Sequence, residues 1–223
     1  ESRYTYSFPG LKDDGSQKRE FTILLRKIEN PTPMYARRIR KEIPIKSKEV
    51  GFDLIKSDWI APYGEGTTAD FSAYLNIDET GSNDFDYKVT ITFNGISNGV
   101  YRYEENVSVG SVFKLPRYAG LEGYESKIDV FWRGLKRGSK ISWDSSRHYI
   151  LRVRSEAENS KVVKAMYGKI FSDIELRSNR RTGGLPSIEF IYYINPDFTR
   201  NLEFDPKRNL FGTLAEDDRV MRP

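Results

Sequence analysis

Strict alternation of apolar and polar residues limits most strongly what this chain can fold into. In residues 87–93 the apolar side chains fall on one face, because successive residues of a strand point to opposite sides. The pattern recurs in the sets Phe71, Ala73, Leu75, Ile77; Ile128, Val130, Trp132; Tyr149, Leu151, Val153; and Ile188, Phe190, Tyr192, Ile194. Strands with one buried and one solvated face indicate an antiparallel β-sandwich or barrel.

Turn signals separate these strands at short intervals. The clearest are residues 79–84, Asn94-Gly95, residues 97–99 and the long loop 116–126, and their spacing favours a compact sandwich. Asn94-Gly95 predicts a hairpin. Residues 162–176 are interpreted as a strand with a bend at Gly168. The fold prediction is therefore all-β, with little helix.

The chain is divided into three parts on this basis. Residues 1–60 are predicted to form an N-terminal strand pair, from 21–25 and 39–45, packed on or beside the core. Residues 61–195 form the sandwich. Residues 196–223 lose the pattern and are predicted to be an irregular C-terminal tail.

Composition narrows the class of protein. The 223 residues are 38% hydrophobic, which is enough for one sizeable core, or one core with a satellite. Lys and Arg number 36 against 32 Asp and Glu, so the net charge is only +4 and a nucleic-acid partner is not implied. No apolar run approaches the roughly 18 residues of a membrane span. The sequence thus predicts no nucleic acid and no membrane span in this segment.

The first residue is Glu1 rather than Met, so we expect that something was removed upstream, with a signal peptide or an anchor among the possibilities. The chain has no cysteine, which excludes disulfides and thiol catalysis. That composition fits an exported bacterial protein and is also compatible with a cytosolic one.

Catalytic motifs are missing. The one histidine, His148, has no second His or Cys with which to share a transition metal, and a structural or surface role is favoured for it. The nucleophile-elbow, Walker and dinucleotide-binding patterns are absent, and no pair of carboxylates stands out. We therefore predict no enzyme activity, no catalytic residue and no cofactor.

An acidic loop could attract calcium. Its carboxylate and amide side chains lie between two strands: Asp78, Glu79, Asn83, Asp84 and Asp86. The spacing does not match an EF-hand loop, and these residues are ordinary turn formers, so a solvated turn is the favoured interpretation.

Two further groups of side chains could bind ligands. Arg37, Arg38, Arg40 and Lys41 form the first of three basic clusters and predict an anion-binding face. Aromatic residues in or near loops could stack on sugars, and the candidates are Trp59, Tyr63, Tyr118 and Tyr124. The alternatives are a solvated charged face for the first group and core packing for the second.

Three short segments of the sequence resemble those of known proteins. Residues 115–124, 149–155 and 166–170 resemble exported immunoglobulin-like, type IV pilus-associated proteins of mucin-dwelling gut bacteria of the Verrucomicrobia type. The resemblance covers roughly the C-terminal half and implies an immunoglobulin-like antiparallel sandwich with a structural or adhesive role. It brings no active-site residues. The 223 residues do not include the apolar N-terminal helix of an ordinary pilin, so the role of main filament subunit is expected only if that helix was removed before Glu1.

The resulting hypothesis is a non-catalytic exported protein of surface or pilus-related assembly and adhesion. Its location would be periplasmic, outer membrane-associated or at the cell surface. Expected partners are other protein subunits or a second copy, reached by strand addition through residues 21–25 or 202–211. On that view, deleting Asn201 onward would leave the sandwich intact. The alternative is a carbohydrate-binding module for host or mucin glycans.

Overall fold

The computed structural model describes residues 28–79, 85–104, 115–135, 138–179 and 183–220. Strands dominate this part of the chain: β1 (Thr32–Glu42), β2 (Glu49–Asp53), β3 (Asp58–Trp59), β4 (Phe71–Glu79), β5 (Phe85–Thr92), β6 (Gly99–Glu104), β7 (Lys127–Leu135), β8 (Gly138–Ile141), β9 (Arg147–Glu158), β10 (Lys161–Arg177), β11 (Ser187–Asn195) and β12 (Phe204–Asn209). Within the described ranges there is no α-helix, only a 3-10 turn at Glu216–Asp218. The all-β prediction is confirmed.

The strands form two six-stranded sheets. Sheet I has the order β12-β1-β11-β10-β9-β6, and sheet II has the order β3-β2-β4-β5-β7-β8. All neighbours pair antiparallel except β1 and β12, which run parallel. The sheets pack face to face, and this architecture is consistent with the predicted immunoglobulin-like sandwich.

The N-terminal part supplies strands to both sheets. β1 lies between β11 and β12 in sheet I, with Tyr35 opposite Ile194, whereas β2 and β3 lie at one edge of sheet II. The strand predicted for residues 21–25 falls outside the described residues. The predicted division at residue 60 stays a prediction, although the described strands before residue 60 are shared between the two sheets.

The alternating residues form the core between the sheets, as predicted. Val89, Ile91 and Val130 are each at most 1% exposed. Phe52 links the aromatic part of this core, stacked on Phe71 at 5.2 Å between ring centroids and edge-on to Trp59 at 5.0 Å. Burial of these apolar side chains contributes most of the free energy that stabilises the packing of one sheet on the other.

Sheet I departs from the predicted pattern because both of its faces are covered. In β11, eight of the nine residues are buried, so Tyr193 is as inaccessible as its neighbour Tyr192. Two satellite clusters lie on this second face: Leu115, Ala119, Ile150, Ala165, Tyr167 and Leu202; and Met34, Ala36, Tyr193, Phe204 and Val220. The chain itself covers the face that the alternation pattern would leave to water.

The hairpin predicted at Asn94-Gly95 is wrong. β5 belongs to sheet II and β6 to sheet I, so the turn carries the chain from one sheet to the other. Gly95 has φ +112°, and the Asn94 side chain donates to Ser72 Oγ at 2.8 Å. A local turn motif indicates that the chain turns, but it does not indicate which sheet the next strand joins.

The strand predicted at residues 162–176 is confirmed as β10, but its irregularity lies elsewhere. The register of β10 against β11 shifts between Phe171 and Glu175, and Ser172 has φ +67°. Gly168 instead allows close approach, because a Cβ at this position would lie 2.4 Å from the Tyr193 carbonyl oxygen.

The C-terminal segment is part of the core rather than a detachable tail. Leu202 and Phe204 are at most 1% exposed, and β12 forms the edge of sheet I. The expectation that deletion from Asn201 leaves the sandwich intact is therefore revised, because that deletion strips one face of sheet I.

Replacing Ile91 with Ala should lower the free energy of unfolding by about 2–5 kcal/mol, because it leaves a cavity between the sheets. Thr90→Ala, on the solvated face of the same strand, should cost far less. Denaturant midpoints measure both. Equal losses at the two positions would contradict the register of β5.

Leu202→Ala should likewise cost about 2–5 kcal/mol, because Leu202 is 1% exposed. Leu210→Ala provides the matched control in the same segment, since Leu210 is 43% exposed. Thermal or denaturant unfolding in which both variants behave like the parent would show that the segment does not cover sheet I in solution.

Candidate functional site

One end of the sandwich gathers loops from both sheets. We call it the loop end and define it by six segments. They are the β2–β3 turn (54–57), the segment before β4 (66–70), the β5–β6 loop (93–98), the segment before β7 (115–126), the β9–β10 hairpin tip (155–164) and the β11–β12 connection (196–203). In sheet II, β4 and β7 begin where β5 ends, and in sheet I, β6 and β10 begin where β11 ends. The β5–β6 loop joins these two groups of strand ends, so the segments lie at the same end of the sandwich.

Arg152 of β9 ties two of these segments together. Its Nε donates to the Ser97 carbonyl oxygen, and its Nη1 donates to the Leu121 carbonyl oxygen at 2.9 Å. Its guanidinium group also lies 4.1 Å from the ring centroid of Tyr124. A planar cation with several donors suits this role, since it can stack and donate at once.

Two tyrosines complete the support of the 115–126 segment. Tyr101 and Tyr124 meet edge to face at 5.1 Å. The Tyr124 hydroxyl donates to the Gly120 carbonyl oxygen at 3.0 Å, and the Gly120 N–H donates to the Tyr101 hydroxyl at 3.3 Å. Burial, followed by the neighbouring Tyr101, raises the pKa of Tyr124, so its hydroxyl stays protonated and remains a donor.

The β9–β10 hairpin projects beyond its neighbours. β6 pairs with β9 only as far as Arg152, and β11 pairs with β10 only from Tyr167 onward. The tip residues Asn159 and Ser160 have φ of 48° and 63°, the two positive values of a tight hairpin turn. Every residue from 156 to 161 is exposed. The hairpin is therefore an arm paired within itself.

Large apolar side chains are exposed on four of these segments. Ile96 is 100% exposed, Leu121 65%, Val163 55% and Phe198 40%. Charged groups flank them, including the Lys164–Glu156 ion pair at 2.8 Å, and the Lys164 ammonium lies 4.3 Å from the Phe198 ring centroid. Apolar tips surrounded by polar groups are typical of surfaces that bind another macromolecule.

An ion cluster anchors the base of the arm to sheet II. Arg154 of β9 contacts two carboxylates at 2.8 Å, with its Nη2 at Asp53 Oδ1 and its Nε at Asp70 Oδ1. The two aspartate side chains are 2% and 0% exposed. Arg154 has φ +50°, a strained conformation for a non-glycine residue that costs about 1–3 kcal/mol and persists only where the surroundings hold it. We name this group the inter-sheet cluster.

Asp53 also organises the backbone of the loop end. Its oxygens accept N–H groups from the β2–β3 turn and from the segment before β4, namely those of Ile55, Lys56, Thr67 and Thr68. Burial alone would raise the pKa of Asp53, but these donors and Arg154 hold it below its usual range. The carboxylate is therefore ionised at neutral pH and fixes both segments.

The predicted sugar-stacking residues are dispersed. Trp59 is 3% exposed and donates its Nε1–H to the Glu42 carbonyl oxygen, so it offers no face to a sugar and is removed from the set. Tyr63 is 42% exposed beside β3, and Tyr118 is 49% exposed in the loop end. Tyr124 is half-buried, with Arg152 over its ring. A stacking role for the last three stays a prediction.

Three of the four predicted anion-binding residues are matched by carboxylates. Arg37 pairs with Asp218 at 2.6 Å, and Lys41 pairs with Asp58 at 3.0 Å. The Arg38 Nε donates to Glu189 Oε1 at 3.0 Å. Arg40 is exposed and makes no ion pair within the described ranges. The charge of this strand is thus largely compensated within the protein, and its anion-binding role stays a prediction.

The acidic loop lies mostly outside the described residues, since only its flanks are included. Asp78 and Asp86 are opposite each other in the β4–β5 ladder, and Asp86 pairs with Arg133 at 3.3 Å. The favoured interpretation of this loop as a solvated turn stays a prediction. Across the part of the chain that the structure covers, no group of three or more His, Cys, Asp or Glu side chains could hold a metal ion.

His148 lies in the protein interior. It is 0% exposed, and its Nδ1 accepts the N–H of Ser172 at 2.7 Å, beside the β10 register shift. In the residues described, no helix is long and apolar enough to cross a membrane.

Comparison with protein-family models, with curated proteins and with solved structures finds no match.

Sequence reasoning missed the residues that build the loop end. Arg152 and Arg154 lie far along the chain from Asp53 and Asp70, and none of the four belongs to a recognisable motif. Ile96 did leave a signal, because it is an apolar residue inside a turn of Asn, Gly and Ser, where burial is not expected.

Replacing Arg152 with Ala should loosen the 93–98 and 115–126 segments while the core stays folded. Loss of one hydrogen bond from the Arg152 side chain to a backbone carbonyl lowers the free energy of local opening by about 1 kcal/mol. This corresponds to roughly fivefold faster amide exchange in these segments. Hydrogen exchange with mass spectrometry measures it. Arg133→Ala, on the solvated face of sheet II, is the control, and equal effects of the two changes would contradict the assigned role.

Proposed function

We propose that this protein is a non-catalytic exported protein of surface or pilus-related assembly and adhesion, and that it binds another protein through its loop end. The expectation of export and of a pilus association comes from the resemblance of residues 115–124, 149–155 and 166–170 described above. The place of binding comes from the geometry of the sandwich.

The observation that carries the proposal is the exposure of Ile96, Leu121, Val163 and Phe198 on adjoining segments of one end. Apolar side chains that would be buried by default remain in water here, although the scaffold buries large side chains elsewhere. Protein interfaces commonly place such side chains inside a polar rim, and here the Lys164–Glu156 ion pair lies beside Phe198.

Rigid support of the segments strengthens this argument. Arg152 holds two of them by backbone carbonyl groups, and Asn98 holds the base of the arm by accepting the Ser155 N–H at 2.9 Å. Binding groups held in place before contact lose little conformational freedom when they bind. A surface that is both apolar and ordered therefore suits a defined partner better than a transient contact.

A carbohydrate-binding module is the second candidate. Tyr118 favours it, because this ring is 49% exposed in the loop end and its hydroxyl accepts a hydrogen bond from the Asn30 side chain at 3.3 Å. A ring held by its hydroxyl could stack on a host or mucin sugar.

A photo-cross-linking residue placed at Ile96 or at Leu121 should form adducts with a surface or pilus protein in the intact producing cells. The same residue at Tyr74, which is 38% exposed on the outer face of sheet II, is the matched control and should form none. Mass spectrometry identifies the adducts. Absence of adducts at the loop end, or equal adducts at Tyr74, would contradict the proposal.

A glycan array tests the second candidate. Specific retention of mucin glycans that disappears in Tyr118→Ala and persists in Tyr74→Ala would replace the assembly proposal with the carbohydrate-binding one. Binding of no glycan, together with adducts at Ile96, supports assembly.

A further inference from the structure

The inter-sheet cluster contains more negative than positive charge. Asp53 and Asp70 are both buried, and Arg154 is the cation that both contact, with its Nη2 also 3.0 Å from Asp70 Oδ2. Asp70 accepts the Leu54 N–H at 2.8 Å as well. With both carboxylates ionised, the group carries a net charge of −1 in a place largely shielded from water, and buried charge without a matching partner is costly.

Among the residues that the structure describes, the elements packed around the cluster supply no second cation in an ion pair with Asp53 or Asp70. From β11, Tyr192 approaches with a neutral hydroxyl that donates to the Leu54 carbonyl oxygen at 2.8 Å. From the segment before β4, the Thr67 hydroxyl donates to Asp53 Oδ2 at 3.3 Å. From β1, the positive charge of Arg37 acts through space to lower the pKa of the Tyr192 hydroxyl, which burial raises more strongly. The guanidinium group of Arg37 itself forms an ion pair with Asp218. The β2–β3 turn contributes the hydroxyl of Ser57 near Tyr192 and no cation in contact.

We propose that the inter-sheet cluster binds one proton in the folded protein as the medium becomes acidic, with Asp70 as the acceptor. Asp53 stays ionised and keeps Arg154 as its partner. The protonated cluster then holds one negative and one positive charge, which removes the repulsion between the two carboxylates.

The two aspartates differ in the way this assignment requires. Burial raises the pKa of Asp70, Arg154 and the Leu54 N–H oppose the rise, and the charge of Asp53 adds to it. Asp53 has four backbone donors and its pKa is lowered despite burial. The two carboxyl groups are chemically identical, but their surroundings shift their pKa values in opposite directions. Asp70 therefore accepts the proton and Asp53 does not.

The sign of the effect on stability follows from linkage. Because the pKa of Asp70 is higher in the folded than in the unfolded state, the folded protein takes up its proton first as pH falls from neutrality. Stability contributed by Asp70 is therefore absent at neutral pH, rises as pH falls through the folded pKa, and is complete below the unfolded pKa. Asp53 acts in the opposite sense, and its contribution is lost only as pH falls below the unfolded value of 3.8.

Carbon-13 NMR of the side-chain carboxyl groups tests the assignment on the unmodified protein. Asp70 should titrate above the ordinary aspartate pKa of about 3.9, and Asp53 below it. The two signals are assigned with Asp70→Asn and Asp53→Asn. Titration of Asp70 at or below the ordinary value would overturn the proposal, whatever the loop end binds.

Denaturant unfolding at pH 7 and at a pH just below the folded pKa of Asp70, as the NMR titration gives it, provides the second measurement. The parent protein should have a higher midpoint at the lower pH, and Asp70→Asn should lose part of that shift. The remainder is assigned to Asp173, whose pKa burial also raises. Asp129→Asn, on the solvated face of sheet II, is the control and should keep the full shift. An equal shift in parent and Asp70→Asn would overturn the proposal.

Discussion

Burial of both faces of sheet I is the constraint on which the rest of the structure depends. One face meets sheet II, and the other would expose Met34, Ile150, Tyr167 and Tyr193 if the chain did not return over it. The segment before β7 and the β11–β12 connection cover Ile150 and Tyr167, and they pair with each other through the Ala119 N–H and the Leu202 N–H. Their position over sheet I is also what places them in the loop end.

The sequence predicted the strands of the core because their cause is local. Side chains in 87–93 alternate with the period of a strand, and all four apolar residues of that segment are buried. It did not predict that Tyr193 is buried, because the cover comes from residues such as Phe204 and Val220 elsewhere in the chain. It also misjudged Asn94-Gly95, since the crossing between sheets is decided by the pairing of β6 with β9.

The loop end was predictable only in part, for the same physical reason. Tyr118 and Tyr124 were identified as aromatic loop residues, but whether a ring is free depends on neighbours such as Asn30 and Arg152. Trp59 shows the opposite outcome, because a tryptophan at the end of a short strand packs against Phe52. Arg154 could not be recognised at all, because a charged residue in a strand ordinarily faces water and this one contacts two buried carboxylates.

The parallel pair of β1 and β12 bears on how the fold would respond to mechanical load. The Thr32 N–H donates to the Glu203 carbonyl oxygen at the start of the pair, and the Leu210 N–H donates to the Met34 carbonyl oxygen near its far end, both at 2.8–2.9 Å. Tension applied before β1 and after β12 pulls two parallel strands in opposite directions along their length. The hydrogen bonds between them are then loaded together in shear and do not open one at a time, as they would when a hairpin is peeled apart. Such a geometry suits a protein that has to carry force along its chain.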